Sequence, residues 1–338
     1  MFYIENRRYV GSKSKLCEWI DEKLGIECHK CSSLFDVFAG TGVVTRSLLN
    51  TYNSFYINDF LFSNEIIYKG FFLDLPYDEK RLSRIQKQYN ALCANDIDEN
   101  YVSQNFGDKY FSYNDAKIIG FIREDIESRF HKRKISEKEY YILLSSLLYS
   151  LDRAANTVGH YDAYIKGKGI DSVFSFELIH PYDVGGKSIH IYREDSNSLA
   201  KKISCDIAFL DPPYNSRQYS RFYHVLETIA KWDKPELYGV AMKPKEENMS
   251  DYCKVCATSA FDDLVQSLHA KYIVVTYNNT YKSKSSSSKN KISLEQIEES
   301  LGKRGKTKVF NQPYRFFNAG KTDFDDHKEY LFITRVEE

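Results

Sequence analysis

The residues best suited to chemistry are Asp211-Pro212-Pro213-Tyr214, which follow the apolar run Ile207-Ala208-Phe209-Leu210. Such a run reads as a buried strand, so the acid, the prolines and the ring lie at its tip. Two prolines fix φ and bring no N–H, leaving the neighbouring carbonyls to accept hydrogen bonds from a ligand. The Asp211 carboxylate adds a second acceptor and Tyr214 a flat stacking face. This corner suits a planar aromatic amine, because each N–H meets an oxygen and the ring system meets another ring. Pro-Pro after a strand is also an ordinary stiff turn, so the motif needs a companion.

The companion lies near the start of the chain. Ser33-Leu34-Phe35-Asp36-Val37-Phe38 reads as another buried strand, and Ala39-Gly40-Thr41-Gly42 follows directly. Val43 to Leu49 then carries apolar residues at helical spacing. A strand, a glycine turn and a helix let backbone approach a ligand closely, with the helix N-terminus facing it. Nineteen residues beyond Gly40, Ile57-Asn58-Asp59 ends a further apolar stretch on an acid placed to accept ribose hydroxyls. A nucleoside-bearing donor beside a gripped amine makes group transfer to nitrogen the expected chemistry.

On these residues the chain resembles the S-adenosylmethionine-dependent DNA adenine-N6 methyltransferases with the alpha order of motifs, of the DNA adenine methylase-like, restriction-modification type. Arg8-Tyr9-Val10-Gly11-Ser12-Lys13 resembles that family's N-terminal motif, which implies donor contacts from Tyr9 and Lys13. Phe38, Ala39, Gly40, Thr41 and Gly42 are similar to its glycine loop around the methionine part of the donor, with Asp36 just upstream. Asp59 matches its ribose acid, and Glu194-Asp195-Ser196 resembles its acidic segment near the donor's adenine. Asp211, Pro212, Pro213 and Tyr214 match its catalytic block, where Asp211 also lies beside the donor. Asn215, Arg217 and Tyr219 continue that block as in several restriction-associated members. Ile273 to Asn279 is similar to a late strand whose end lines the base pocket, and Lys328 to Ile333 to the terminal strand.

The resemblance implies an α/β fold: a Rossmann-like methyltransferase sheet, mixed and mostly parallel, with an inserted, mainly helical target-recognition lobe. Residues 1–62 and 188–338 would form the S-adenosylmethionine-binding catalytic domain, and residues 63–187 the inserted region. It further implies S-adenosyl-L-methionine as cofactor, no metal, double-stranded DNA as partner and, acting separately, a cognate restriction endonuclease. In the reaction so implied, Asp211 and the Pro212 carbonyl bind the two N–H groups of an adenine N6 while Tyr214 stacks on the flipped base.

The intervening segment has its own character. Between Ser63 and Tyr182 strand-like runs thin out, and Tyr140, Leu143, Leu144, Leu147, Leu148 and Leu151 mark one face of a long helix over Ser136–Ala155. Ser136 with Glu139 is read as its capping box. Just beyond, basic, amide and aromatic side chains interleave, making Arg153, Asn156, His160, Tyr161, Tyr164 and Lys166 candidate DNA contacts together with Asn215, Arg217 and Tyr219. Arg123, Arg129, Lys132, Arg133 and Lys134 read either as phosphate contacts or as a solvated helix face. A first helix is expected over Lys13–Leu24. Strands resume at Ser188–Tyr192, from where the sheet is expected to stay parallel to the end. Ser283–Lys291 is a Ser/Lys run read as a mobile loop, and no internal repeat is found.

Composition sets the outer bounds. The 338 residues suffice for a full α/β core and an extra lobe, and 47 Lys and Arg balance 47 Asp and Glu. DNA-binding charge must therefore be local. No apolar run reaches the length of a signal core or a membrane span, and a cytoplasmic location with no membrane partner is expected. Cys28-x-x-Cys31 and Cys253-x-x-Cys256 have zinc-like spacing but lie far apart, so the seven cysteines are read as free thiols. Cytosine N4, an RNA adenine or a glutamine side chain would also fit an acceptor corner. Asp at 211 favours adenine within the resembled family, where Ser accompanies cytosine and Asn glutamine. A catalytically inactive DNA-binding scaffold is a further reading. A dinucleotide oxidoreductase is suggested by the glycine turn alone, which lacks the full Gly-x-Gly-x-x-Gly pattern.

Overall fold

The computed structural model describes residues 1–167, 169–171, 173–279, 290–313 and 327–337. Most of the expected Ser283–Lys291 loop therefore lies outside the described residues. The chain divides into two compact units. One comprises Met1–Val10, Leu61–Gly186 and Ser220–Glu247; the other comprises Gly11–Phe60, Lys187–Tyr219 and Asn248–Glu338. Met1–Val10 and Ser220–Glu247, read from sequence as parts of the catalytic domain, thus belong to the helical unit.

The second unit holds a seven-stranded sheet built from β1 (Ser33–Asp36), β2 (Ser54–Asn58), β3 (Ser188–Tyr192), β4 (Ser204–Leu210), β5 (His269–Asn278), β6 (Gly305–Pro313) and β7 (Lys328–Val336). Its order is β3-β2-β1-β4-β5-β7-β6. The strands from β3 to β5 pair in parallel, whereas β7 lies antiparallel between β5 and β6. The parallel continuation expected from sequence is therefore wrong for the last strand. Apolar alternation in Lys328–Val336 fixes which side chains face the core but carries no direction, and consecutive β6 and β7 pair antiparallel.

Strand order reverses between β1 and β4, which opens a crevice at their carboxyl ends. Both chemical motifs follow those two ends. Along β4 and β5 the side chains alternate between faces. Ala208, Leu210, Ile273, Val275 and Tyr277 join one core with Phe261, Leu264, Ile297 and Leu301 of the helices Ala257–Ser267 and Leu294–Gly302. Thr276 and Asn278 consequently face the other way. The first helix runs over Cys17–Glu27 after a 3-10 turn at Ser14–Leu16, so it begins later than expected and leaves Lys13 ahead of it.

The other unit is helical, with strand pairing confined to isolated bridges among its described residues. The long helix spans Glu137–Ala154, and its capping box is formed as read: Glu139 N–H donates to Ser136 Oγ at 3.3 Å and Ser136 N–H to the Glu139 carboxylate at 2.7 Å. It packs closely on the helix Phe62–Phe72. A Cβ at Gly70 would stand 2.4 Å from Ser145 Oγ, so only glycine fits at that crossing. Ser145 answers its own burial by donating to the Ile66 carbonyl at 3.1 Å.

Candidate active site at the carboxyl edge of the sheet

The glycine turn after β1 is shaped by backbone conformations that side chains resist. Gly40 and Gly42 have φ of 54° and 79°. Ala39 N–H donates to the Asn58 carbonyl and Gly40 N–H to Asp59 Oδ2, both at 2.9 Å. Asp59, just past β2, thus braces the turn it was expected to face. Phe38 packs edge-on against Tyr252, with centroids 4.9 Å apart. Thr41 is buried within the turn.

Behind the turn, Asn58 does work that its sequence position did not reveal. Its amide donates to the carbonyls of Val37 and Glu194 at 3.2 Å each, and Glu194 N–H returns a bond to Asn58 Oδ1 at 3.0 Å. Ser196 is buried, and its hydroxyl joins this network rather than facing outward. Asp195 accepts from Ser198 N–H at 2.9 Å and so caps the helix Ser196–Ala200.

Asp36 at the end of β1 is 1% exposed and accepts from the Thr45 hydroxyl at 2.8 Å. Burial, with the charges of Asp211 and Asp59 adding to it, pushes its carboxyl up to about 7. The folded state then holds a proton that the unfolded chain releases near pH 4, so stability falls as pH climbs from about 4 to 7. Asp36→Asn removes this penalty while keeping an acceptor for Thr45. It is expected to raise Tm by a few degrees at pH 8 and hardly at all at pH 4.5, as read by thermal unfolding.

The Asp211 corner is held from three sides. Lys13 Nζ lies 2.8 Å from Oδ2, while the hydroxyls of Tyr214 and Thr276 donate to Oδ1 at 2.5 and 2.9 Å. Lys13 is 4% exposed; it also donates to the Gly11 carbonyl at 3.0 Å and sits 4.9 Å over the Tyr214 ring. Tyr214 meets Tyr277 edge-on at 4.6 Å, and Lys291 N–H donates to its carbonyl at 2.7 Å. Burial and the neighbouring Asp211 charge raise the Tyr214 pKa well above its ordinary value, so the phenol stays a donor. Pro212 is buried and Pro213 half-buried, and among the described residues the Pro212 carbonyl accepts no hydrogen bond. Thr276 was missed as a site residue, and so was Gln218. The Gln218 side chain clamps Ser250 by donating to its carbonyl at 2.9 Å and accepting from its N–H at 2.8 Å. Asn215 Oδ1 accepts from Arg217 N–H at 3.0 Å, a local turn, and the Tyr219 hydroxyl stands 3.3 Å from where a Cβ of Gly11 would lie.

The remaining candidates lie in the helical unit. Tyr9 stacks on Tyr223 at 4.7 Å under the Arg7 guanidinium. Tyr161 is fully buried and donates to Asp152 at 2.9 Å, so it presents no surface to DNA, and its assignment there is corrected. Its position among basic and amide residues gave no sign of that internal acid. Asn156 ties two backbone segments by donating to the carbonyls of Lys109 and Ile165. His160 stacks on Phe222, and Tyr164 meets Tyr110 edge-on. Arg153, paired with Glu177 at 2.6 Å, and Lys166 are exposed at their tips. Arg123 is 1% exposed and donates to the Ile229 carbonyl at 2.8 Å, which removes it from the phosphate-contact set. Arg129 pairs with Asp125, while Lys132, Arg133 and Lys134 are exposed.

All seven cysteines are free thiols. Among the described residues no cluster of three or more His, Cys, Asp or Glu side chains could hold a metal ion. None of the helices there is long and apolar enough to cross a membrane.

A mostly parallel sheet whose order reverses between a glycine turn and an Asp-Pro-Pro-Tyr corner defines a Rossmann-like methyltransferase fold. Residues 9–286 match the D12 class N6 adenine-specific DNA methyltransferases, and the chain belongs to that family. It is 31% identical to the type II methyltransferase M.NlaIII of Neisseria lactamica, over 96% of this chain and 98% of that protein. It is 30% identical to the modification methylase LlaI of Lactococcus lactis subsp. lactis and 34% identical to the modification methylase StsI of Streptococcus sanguinis. Each of these two alignments covers 80% of this chain, which spans only 46% and 44% of those longer proteins. The family reaction is on DNA adenine, so the readings as a dinucleotide oxidoreductase, a glutamine methylase or a cytosine-N4 methylase fall away.

Proposed function

We propose that this enzyme is the modification methylase of a restriction-modification system, transferring a methyl group from S-adenosylmethionine to N6 of an adenine turned out of duplex DNA. The observation that carries the reading is the oriented Asp211 carboxylate beside the Pro212 carbonyl, at the point where strand order reverses. The names of two relatives as modification methylases and of a third as a type II methyltransferase support the biological setting. A cognate endonuclease would act separately on the same sequence, and both would work with DNA in the cytoplasm.

The residues at the crevice suit a sulfonium nucleoside. Asp59 and Asp211 bring acidic side chains to it, with the buried Asp36 behind them, and the glycine turn gives room for close backbone approach. When bound, S-adenosylmethionine supplies an electrophilic methyl. Asp59 and the glycine turn would hold its ribose and methionine portions, with Asp195 and Ser196 near its adenine and Tyr9 and Lys13 from the N-terminal motif. Asp211 and the Pro212 carbonyl accept the two N–H groups of the target amine and favour a pyramidal nitrogen. Because hydroxyls fix Oδ1 in advance, the carboxylate keeps its orientation as it stabilises the positive charge that grows on nitrogen. The methylated amine is acidic and loses its proton afterwards, so Asp211 need not be a strong base. The Tyr214 ring stacks on the base.

Target recognition falls to residues 63–187, with Arg153, Asn156, His160, Tyr164 and Lys166 in that segment, and to Asn215, Arg217 and Tyr219, which follow the catalytic block in sequence. Asp59→Ala frees the glycine turn and removes a charged acceptor. It is expected to weaken S-adenosylmethionine binding by about 10- to 100-fold in titration calorimetry. The reading as a whole is tested with labelled S-adenosylmethionine and unmethylated duplex DNA, mapping N6-methyladenine by sequencing. Label at one short sequence supports it; label in structured RNA with none in DNA overturns it.

A further inference from the structure

Glu329 is an acid at the reacting edge of the sheet to which the proposed chemistry assigns no task. It lies on β7 directly opposite Asn278 of β5, and cross-strand partners share a face. That face is the one carrying Thr276, which bonds Asp211. Two strand spacings separate β4 from β7, roughly 10 Å between backbones, a gap that two acidic side chains and a lysine can span. Glu329 is 3% exposed; Asn278 hydrogen-bonds to its carboxyl, but its Oε2 is buried with no hydrogen-bond partner among the described residues. Both Lys13 and Asp211 act on it electrostatically.

A buried carboxyl oxygen left without a donor is costly and calls for an explanation. The state of Lys13 supplies one. Its ammonium occupies Oδ2 of Asp211, one of the oxygens that the target amine would share. An incoming amine therefore competes with Lys13, and a buried ammonium cannot simply be released without another acceptor. We propose that Glu329 is a positioning residue that takes over the Lys13 ammonium when the target amine engages Asp211. The inference rests on the reading of Asp211 as the amine-binding acid. Lys13 thus moves between two carboxylates, keeping one positive charge near the crevice while freeing the catalytic oxygen.

The exchange depends on pH. Burial pushes the Glu329 carboxyl up to about 7, with Asp211 adding to the rise and Lys13 opposing it. Below that value Glu329 keeps its proton and offers Lys13 only a weak acceptor; above it, the proton goes to solvent and an ion pair forms. Among the described residues, the titratable groups near it include Tyr214, Tyr277 and His327, all held neutral around pH 7, the cation Lys328 beside it on β7, and, further along the edge, Asp59 and Asp36, the last of which also titrates near 7.

The test compares the wild type, Glu329→Gln and Glu329→Asp in methyl transfer to unmethylated duplex DNA between pH 6 and 8. For the wild type, kcat/KM for DNA should rise across this range. Glu329→Gln should lose that rise and fall on the order of tenfold to a hundredfold below wild type at pH 8, approach it at pH 6, and keep its KM for S-adenosylmethionine. Glu329→Asp should restore a pH-dependent rise. A wild-type pH profile in Glu329→Gln, or an equal deficit at pH 6 and 8, overturns the inference; the first result would assign the titration to Asp36. Absence of transfer by the wild type at every pH removes the functional reading and this inference with it. Active wild type with an unaltered Glu329→Gln profile removes the inference alone.

Discussion

Asp211→Ala is expected to lose methyl transfer by about three orders of magnitude while retaining S-adenosylmethionine affinity. Two losses combine in that figure. The target amine forfeits a preorganised acceptor, and Lys13 loses its carboxylate partner in a nearly closed environment. Asp211→Asn separates them. An amide can still accept from Thr276 and Tyr214 through one oxygen, but it offers no negative charge to the amine or to Lys13. It should therefore fall between wild type and Asp211→Ala in single-turnover rate. Near-normal turnover by a folded Asp211→Ala, with folding checked by its melting curve, would remove Asp211 from the mechanism.

Substitutions at Tyr214 should come next in severity. The ring and the hydroxyl have different tasks: the hydroxyl braces Asp211 Oδ1, and the ring is the surface on which a base would stack. Tyr214→Ala loses both and should reduce kcat/KM for DNA by about 10- to 100-fold through lost stacking alone. Tyr214→Phe keeps the ring, and Thr276 still holds Oδ1, so its loss should stay within about tenfold. If phenylalanine proved as damaging as alanine, the hydroxyl rather than the ring would carry the role.

Features that are local along the chain were legible in its sequence. The apolar runs Ser33–Phe38 and Ile207–Leu210, with the stretch ending on Asp59, announced where β1, β4 and β2 end to within two residues, and the residues just after those strands lie at one edge because parallel strands share a direction. The Ser136–Glu139 box and the long helix were equally legible, since their partners lie within one turn. Distant partners left no such trace. Thr276 reaches Asp211 across 65 residues, and Arg123 reaches the Ile229 carbonyl across 106. A charge at helical spacing looks solvated until the element that covers it is known. Tyr161 failed as a DNA contact for a related reason: its phenol answers a buried acid one helix end away.

The placement of β7 has a consequence for how the protein is made. β5, the strand carrying Thr276 and Asn278, gains its outer neighbour only when residues 328–336 have left the ribosome. Until then β5, paired to β4 on one side only, bears an open and strongly apolar outer edge from Tyr272 to Tyr277, an invitation to sticking between polysomes. The Thr276 side of the Asp211 corner is consequently completed only after that segment emerges, and a chaperone that shields this edge during translation should raise the yield of active enzyme.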